Sequence, residues 1–317
     1  MNRRVLVTGA SGFVGQGLCP VLEKAGWAIR RASRNPPMDF GWARIADLGP
    51  DTGWQEALEG CDAVVHLAAR VHVSSTSDAS TRAALHLANA SGPERLAREA
   101  ARLGVGRFIL MSSIKVNGEA TDKACPFQAD DPPRPEDTYG ESKWAGEQAL
   151  ARVGSETGME WVVLRPPLIH GPGVGANFLR MLRWIHHGLP LPLGKVDNLR
   201  SLLGLANLAD IVTLCLDHPG AAQKVILASD GEDISTPELF RRLAKHMGRS
   251  ARLPALPLGV LEGLGRMTGL EAVLAKLTGS LRVDTRFLRE DLGWIPLNSL
   301  DAGLAATVDW FMAGMKR

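Results

Sequence analysis

Aromatic residues make up only 5% of this 317-residue chain, and it has a single tyrosine, Tyr139. The four cysteines, Cys19, Cys61, Cys125 and Cys215, lie far apart. None forms a metal-ligand pair, so no metal site is expected, and the thiols read as small buried hydrophobes in a reducing cytosol. Neither sign of charge dominates. A net charge of +2 gives no electrostatic case for nucleic acid or for an acidic membrane surface. A strand opens almost at once, at Arg3, without a signal peptide's apolar stretch and cleavage site. Long uncharged apolar runs are missing as well. The most hydrophobic late stretch, Leu253 to Leu281, is interrupted by Pro254, Pro257, Glu262, Arg266, Glu271 and Lys276. It reads as amphipathic helices, with a peripheral membrane contact the lesser reading and no integral membrane segment. A cytoplasmic protein is expected.

The first half instead alternates short β-rich runs with helical segments. Strands are expected at Arg3–Thr8, Ala28–Ala32, Ala43–Ala46, Ala63–Leu67, Arg107–Ser112 and Trp161–Arg165. Several are runs of Val, Ile and Leu without polar alternation, as in strands buried on both faces of a parallel sheet. Helices are expected at Gly15–Ala25, Trp54–Leu58, Ala83–Leu103 and Tyr139–Thr157. The order implies an α/β fold, a Rossmann-type doubly wound parallel sheet. After Arg165 the texture changes to Pro166-Pro167 and Gly171-Pro172-Gly173, a loop signal. A helix at Asn177–His187, another at Leu208–Leu216, a strand at Val225–Ala228 and a last helix at Leu304–Met312 follow. We divide the chain into a dinucleotide-binding domain, residues 1–165 with 206–228 returning to it, and a smaller, mostly helical substrate lobe, residues 166–205 and 229–317.

Thr8-Gly9-Ala10-Ser11-Gly12-Phe13-Val14-Gly15 follows the first strand directly. Gly9 permits the tight turn, Gly12 admits backbone close to a pyrophosphate, and Gly15 lets helix and strand pack closely. The helix N-terminus then faces the anion. A glycine triplet alone is also compatible with a structural turn, but at the first β–α junction of an alternating chain it favours a dinucleotide. The cofactor's identity is sought at the end of the second strand, where NAD-binding chains carry an acidic residue. Here the stretch is Arg30-Arg31-Ala32-Ser33-Arg34, without a carboxylate. Ser33 and Arg34 suit a 2′-phosphate, so NADP(H) is favoured and NAD(H) remains open. Asp47, with Leu48 beside it, is placed to cap the adenine amino group. Leu67, Ala68 and Ala69 leave room for the cofactor's linking ribose and phosphates, and His66 reads as a packed histidine.

Tyr139 and Lys143 stand four residues apart, which on a helix puts both on one face. An ammonium held near a phenol favours phenolate and is expected to bring the tyrosine below its ordinary pKa of about 10. Such a group exchanges a proton with an alcohol oxygen near neutral pH.

Together these motifs resemble the extended short-chain dehydrogenase/reductase family, NAD-dependent epimerase/dehydratase type, in its nucleotide-sugar branch. The resemblance rests on Thr8–Gly15, His66–Ala69, Ser112-Ser113, Tyr139-x-x-x-Lys143, Arg165-Pro166-Pro167, Gly171-Pro172-Gly173 and the run from Pro190 through Arg200 to Asp210. It implies that Tyr139 is the proton donor or acceptor, that Lys143 binds the nicotinamide ribose and lowers the tyrosine's pKa, and that Ser113 hydrogen-bonds the reacting sugar oxygen. Pro166 falls among the implied cofactor contacts. Ser112, Lys115, Asn177, Arg200 and Arg282 are implied on the substrate side, with strand-end hydrogen bonding open for Ser112 and a surface role open for Lys115 and Arg200. The dehydratases' Asp-Glu pair after the catalytic Ser/Thr is replaced by Ile114 and Lys115, which excludes acid–base elimination. The segment Ser112–Glu119 looks most like reductases of UDP-4-keto-6-deoxy-N-acetylhexosamines, giving UDP-QuiNAc or UDP-FucNAc type sugars for surface polysaccharides. With the arginines of the second strand, this makes NADPH-dependent 4-keto reduction the expectation. A UDP-glucose or UDP-N-acetylglucosamine 4-epimerase with bound NAD is the alternative, and a non-catalytic NADP(H)-binding regulator the distant one. A homodimer paired through Ala83–Leu103 and Tyr139–Thr157 is expected by analogy.

Overall fold

The structure, a computed structural model, describes residues 3–37, 41–71, 78–269 and 271–315. Its chain order is β1 (Arg4–Thr8), α1 (Phe13–Lys24), β2 (Ala28–Ser33), β3 (Trp42–Arg44), α2 (Gln55–Leu58), β4 (Ala63–His66), α3 (Ala79–His86), α4 (Gly92–Arg102), β5 (Arg107–Met111), α5 (Thr138–Thr157), β6 (Glu160–Arg165), β7 (Leu168–His170), α6 (Ala176–His186), β8 (Arg200–Gly204), α7 (Leu205–Asp217), β9 (Lys224–Leu227), β10 (Asp233–Ile234), α8 (Thr236–His246), α9 (Leu258–Thr268), α10 (Glu271–Thr278) and α11 (Leu300–Gly314).

Seven strands form one parallel sheet in the order β3-β2-β1-β4-β5-β6-β9. The uninterrupted apolar runs of β1, β4 and β5 are fully covered because helices flank both faces. On one face Leu18, Leu22, Leu208 and Ile211, from α1 and α7, close over Val5, Val7 and Ile109. On the other Leu96, Ala97, Leu150 and Val153, from α4 and α5, close over Leu6, Val64 and Phe108. A third cluster lies apart from the sheet, where α6, α8 and α11 gather Phe178, Leu182, Phe240, Leu243, Leu304 and Phe311 around Leu202 of β8. Among the described residues no helix is long and apolar enough to cross a membrane.

Two features depart from expectation. A small second sheet, β10-β8-β7, stands where the sequence suggested a loop around β7, no element at β8 and helical chain at β10. The helix expected over Ala83–Leu103 is α3 and α4 joined by a π-turn at Leu87–Ser91. At that turn α5 comes very close, since a Cβ on Gly146 would lie 2.2 Å from the Asn89 carbonyl oxygen.

Candidate active site

The glycine loop is a cradle that side chains would fill. Gly9 has φ +69°, and a Cβ there would stand 2.8 Å from Ala68 N, so the loops after β1 and β4 touch. A Cβ on Gly15 would stand 2.5 Å from Ala10 Cα. Gly12 caps α1 with extended backbone and no side-chain hydrogen bond, and the first turn of α1 carries no acidic residue. Ser11 and Gly12 are exposed, with Phe13 and Val14 half-buried behind them. A helix N-terminus with no side-chain cap and no opposing carboxylate fits a pyrophosphate.

The rim of the cradle corrects one sequence argument. Arg34 is not a free cation, because its guanidinium lies 2.9 Å from the Asp47 carboxylate, both side chains being exposed at 70% and 85%. Asp47 is therefore paired with Arg34 at the tip of β2, its carboxylate open to solvent. The carboxylate missing from β2 is supplied by the loop after β3. Arg31 pairs with Glu23, and Arg30 donates to the Glu56 carbonyl. Ser33 Oγ accepts from Asn35 N–H at 3.3 Å. Leu48 lies half-buried alongside, its Cβ 3.4 Å from where a Cβ on Gly92 would stand.

At the end of β4, His66 is fully buried, with Nδ1 2.8 Å from Thr8 Oγ1. Burial and then the nearby Lys143 charge push its pKa down to about 3, so it stays neutral. It is the packed histidine that the sequence suggested. Leu67, Ala68 and Ala69 continue half-buried from it. Asn89, unremarked in the sequence, locks this loop in place. It accepts from Arg70 N–H at 2.9 Å, donates to Arg70 O at 3.0 Å and donates to Ser142 Oγ at 2.9 Å. Its one sequence signal is an amide in a helical run otherwise rich in Ala and Leu.

Helix α5 starts at Asp137, whose Oδ1 accepts from Gly140 N–H at 2.7 Å, and ends at left-handed Gly158. Tyr139, Lys143 and Glu147 follow at four-residue steps on one face. Ser113 caps the turn Ile114–Val116, its Oγ accepting from Lys115 N–H at 3.3 Å while its own proton remains available. A Cβ on Gly140 would lie 2.8 Å from Lys115 O, so the Ser113 turn and the Tyr139 turn are in contact. Ile114 N–H donates to the carbonyl of buried Pro166 at 3.1 Å, joining β6 to the same turn.

The electrostatics differ from expectation. Tyr139 is half-buried by area, yet burial pushes its phenol up to about 12; Lys115 acts to lower it and Asp137 to raise it. Lys143, 2% exposed, is pushed down to about 8 by burial, with Glu147 acting to raise it. The downward pull of Lys143 on the tyrosine is thus not expressed.

Other expected substrate contacts are already engaged. Ser112 is 4% exposed and donates its hydroxyl to Glu147, which makes it a strand-end anchor. Lys115 pairs with Asp137 and, at 2.7 Å, with Glu119. Asn177 is exposed and accepts from Arg180. Arg200 Nη1 donates to the Lys276 and Gly279 carbonyls at 2.9 and 2.8 Å, closing the end of α10. Arg282 holds Asp233 at 2.6 Å and the Lys123 carbonyl. The sequence reading also missed a buried network beneath Lys143. Arg165 donates to Glu147 at 2.6 Å and to Asn117 Oδ1 at 2.9 Å, with both ionised side chains almost wholly enclosed.

Residues 5–228 match the model of the NAD dependent epimerase/dehydratase family. The chain is 38% identical to a UDP-glucose 4-epimerase of Vibrio cholerae, covering 100% of this chain and 98% of that protein. It is 28% identical to a GDP-6-deoxy-D-mannose reductase of Pseudomonas aeruginosa, covering 98% of each. Among solved structures it resembles a UDP-glucuronic acid 4-epimerase from Bacillus cereus in complex with NAD, with a TM-score of 0.78 and 21% identity over 98% of this chain and 99% of that one. The chain belongs to the NAD dependent epimerase/dehydratase family of extended short-chain dehydrogenases/reductases.

Proposed function

We propose that this member of the family is a 4-epimerase of a UDP-hexose, UDP-glucose or its N-acetylated counterpart, working with NAD. The observation that carries the reading is the 38% identity to the Vibrio cholerae UDP-glucose 4-epimerase along the whole chain. The rim supports it, since Asp47 gives the tip of β2 the carboxylate that NAD-binding chains use for ribose hydroxyls.

In this reading Gly9, Ser11, Gly12, Phe13, Val14 and Gly15 would hold the pyrophosphate. Asp47, Leu48, Ala68 and Ala69 would line the adenosine half, and Lys143 and Pro166 the nicotinamide half. NAD bound there would supply reversible hydride transfer at the sugar's carbon 4, the hydride returning to the opposite face of that carbon. Tyr139 takes the proton of the 4-hydroxyl and later restores it to the same oxygen. Ser113 donates a hydrogen bond to that oxygen, steadying the charge that develops on it. Lys143 keeps a buried positive charge one turn from the phenol. Ile114 and Lys115 offer no carboxylate, so the sugar is spared elimination. A homodimer through α3, α4 and α5 belongs to the proposal, and sedimentation at the monomer mass of 34.0 kDa would refute that part.

Reduction of a UDP-4-keto-6-deoxy-N-acetylhexosamine by NADPH is the second reading, favoured by Arg30, Arg31 and Ser33 on β2 and Arg34 just after it. The deciding experiment supplies UDP-glucose and UDP-N-acetylglucosamine to the purified protein with NAD alone. Appearance of the 4-epimer is expected. No conversion of either sugar, with NADPH consumed on a UDP-4-keto sugar, would overturn epimerisation in favour of reduction.

A further inference from the structure

We propose that Lys115 is a positioning residue for Tyr139: its backbone and side chain fix the Ser113 turn against the first turn of α5, and its ammonium sets the field in which the phenol exchanges its proton. The inference rests on the reading of Tyr139 as the proton-exchanging group.

Lys115 touches every part of that junction. Its N–H donates to Ser113 Oγ at 3.3 Å. Its carbonyl oxygen lies 2.8 Å from where a Cβ on Gly140 would stand, so only glycine fits beside Tyr139. Its ammonium bonds Asp137 Oδ2, while Asp137 Oδ1 caps the helix through Gly140 N–H at 2.7 Å. One carboxylate thus has two tasks, and Lys115 secures one of them. Glu119 holds the ammonium from the other side at 2.7 Å and lies 4.0 Å from Lys276 of α10. Burial opposes the charge on Lys115, but its bonds to Asp137 and Glu119 hold it above its ordinary pKa, so it is a permanent cation. The charged groups that act on the phenol are Lys115 from the turn and Asp137 from the cap, with Glu119 and Lys276 one contact further out, on the Lys115 ammonium and on Glu119. Of these, Lys115 favours phenolate and Asp137 opposes it. A cation thus stands where a dehydratase-type chain would place a carboxylate, and it serves the tyrosine instead of an elimination.

The opposite signs give the test. Lys115→Gln and Asp137→Asn both break the ion pair, yet Asp137→Asn keeps a cap acceptor and leaves the cation beside the phenol. In the pH profile of kcat/KM for UDP-glucose epimerisation with NAD, the tyrosine midpoint should fall by about one pH unit in Asp137→Asn, while Lys115→Gln should move it upward and show no such fall. Lys115→Arg should hold it near the wild-type position. The same signs should appear without substrate in the tyrosinate absorbance of the sole tyrosine, with Tyr139→Phe as the blank. A merely structural tie would move both variants the same way or lower turnover with no change in midpoint, and either result overturns the proposal. Should Lys115→Gln fail to fold, Asp137→Asn against Lys115→Arg gives the same contrast. Tyr139→Phe separates the two layers: retained turnover defeats the reading of the tyrosine itself. An inactive Tyr139→Phe with unmoved midpoints in the other variants defeats only the role of Lys115.

Discussion

Lys143→Met should make the protein more stable while abolishing its turnover. The ammonium is 2% exposed, and burial carries its pKa from 10.5 down to about 8 even though Glu147 works to raise it. At neutral pH the lysine is still charged in the folded chain, so the fold bears the cost of holding that charge. A fall from 10.5 to about 8 corresponds to about 3.5 kcal/mol at about 1.4 kcal/mol per pKa unit, of which part is recovered by relaxation around the charge. The sign follows from proton binding. Between the two values the unfolded chain holds the proton and the folded chain has lost it, so stability rises with pH across the window. The penalty is fully present below about pH 8 and is gone above 10.5. Methionine matches the lysine stem in length, and Glu147 keeps Arg165 at 2.6 Å as its partner, so no new orphan charge appears. The expected gain is about 2–3 kcal/mol in urea unfolding at neutral pH, shrinking toward zero near the unfolded lysine's own pKa. The eight tryptophans supply the fluorescence signal. A variant less stable than wild type at neutral pH, or a gain that persists undiminished in strong alkali, would refute the reasoning.

Other outcomes follow from the same geometry. Glu147→Ala strands the buried Arg165 guanidinium and removes the acceptor of Ser112, so urea titration should show a loss of about 3–5 kcal/mol. Gly15→Ala puts a Cβ 2.5 Å from Ala10 Cα and should cost about 1–3 kcal/mol and weaken NAD binding measured by calorimetry. Because His66 is held neutral down to about pH 3, its ring signals in NMR should stay unchanged between pH 5 and 8, whereas an exposed histidine titrates there. Titration of His66 in that range would show that its burial is wrong.

Much of the fold was legible because apolar runs and glycines carry local signals. β1 and the loop after it announce themselves, and so does the four-residue step from Tyr139 to Lys143. The second sheet was not legible. β7 has three residues and β10 two, too short for any periodicity, and they are strands only because β8 lies between them. The π-turn at Leu87–Ser91 leaves no mark in a helical run, since it answers to the close approach of Gly146 from another helix. The β2 tip shows the same limit in charge. Read along the chain, the stretch Arg30–Arg34 carries no acid; in space, Asp47 lies 2.9 Å from Arg34 across the neighbouring strand. The sequence argument for NADP(H) rested on that absence, and the fold removes its premise while leaving Arg30 and Arg31 in place.

The face of α5 explains why these groups come as a set. Tyr139, Lys143 and Glu147 run from the half-open end of the helix into the core, the tyrosine half-buried and the lysine and glutamate both enclosed. A buried lysine alone would shed its proton more readily still; Glu147 acts against that. A buried glutamate alone would be equally costly, so Arg165 neutralises it, and Ser112 and Asn117 occupy the hydrogen-bonding sites that remain. Counting Arg165 and Lys143 against Glu147 leaves one positive charge enclosed beside the neutral His66. That surplus acts on His66, whose protonated form it disfavours. It does not reach Tyr139, where Lys115 and Asp137 are the charges that count. The work is therefore divided: the inner pair maintains a dry cation one turn into the phenol's helix, and at its tip Lys115 and Asp137 pull in opposite directions on a proton affinity that burial chiefly sets. A change at Glu147 should accordingly register in stability and in Lys143, and a change at Lys115 in the tyrosine, with little exchange between the two ends.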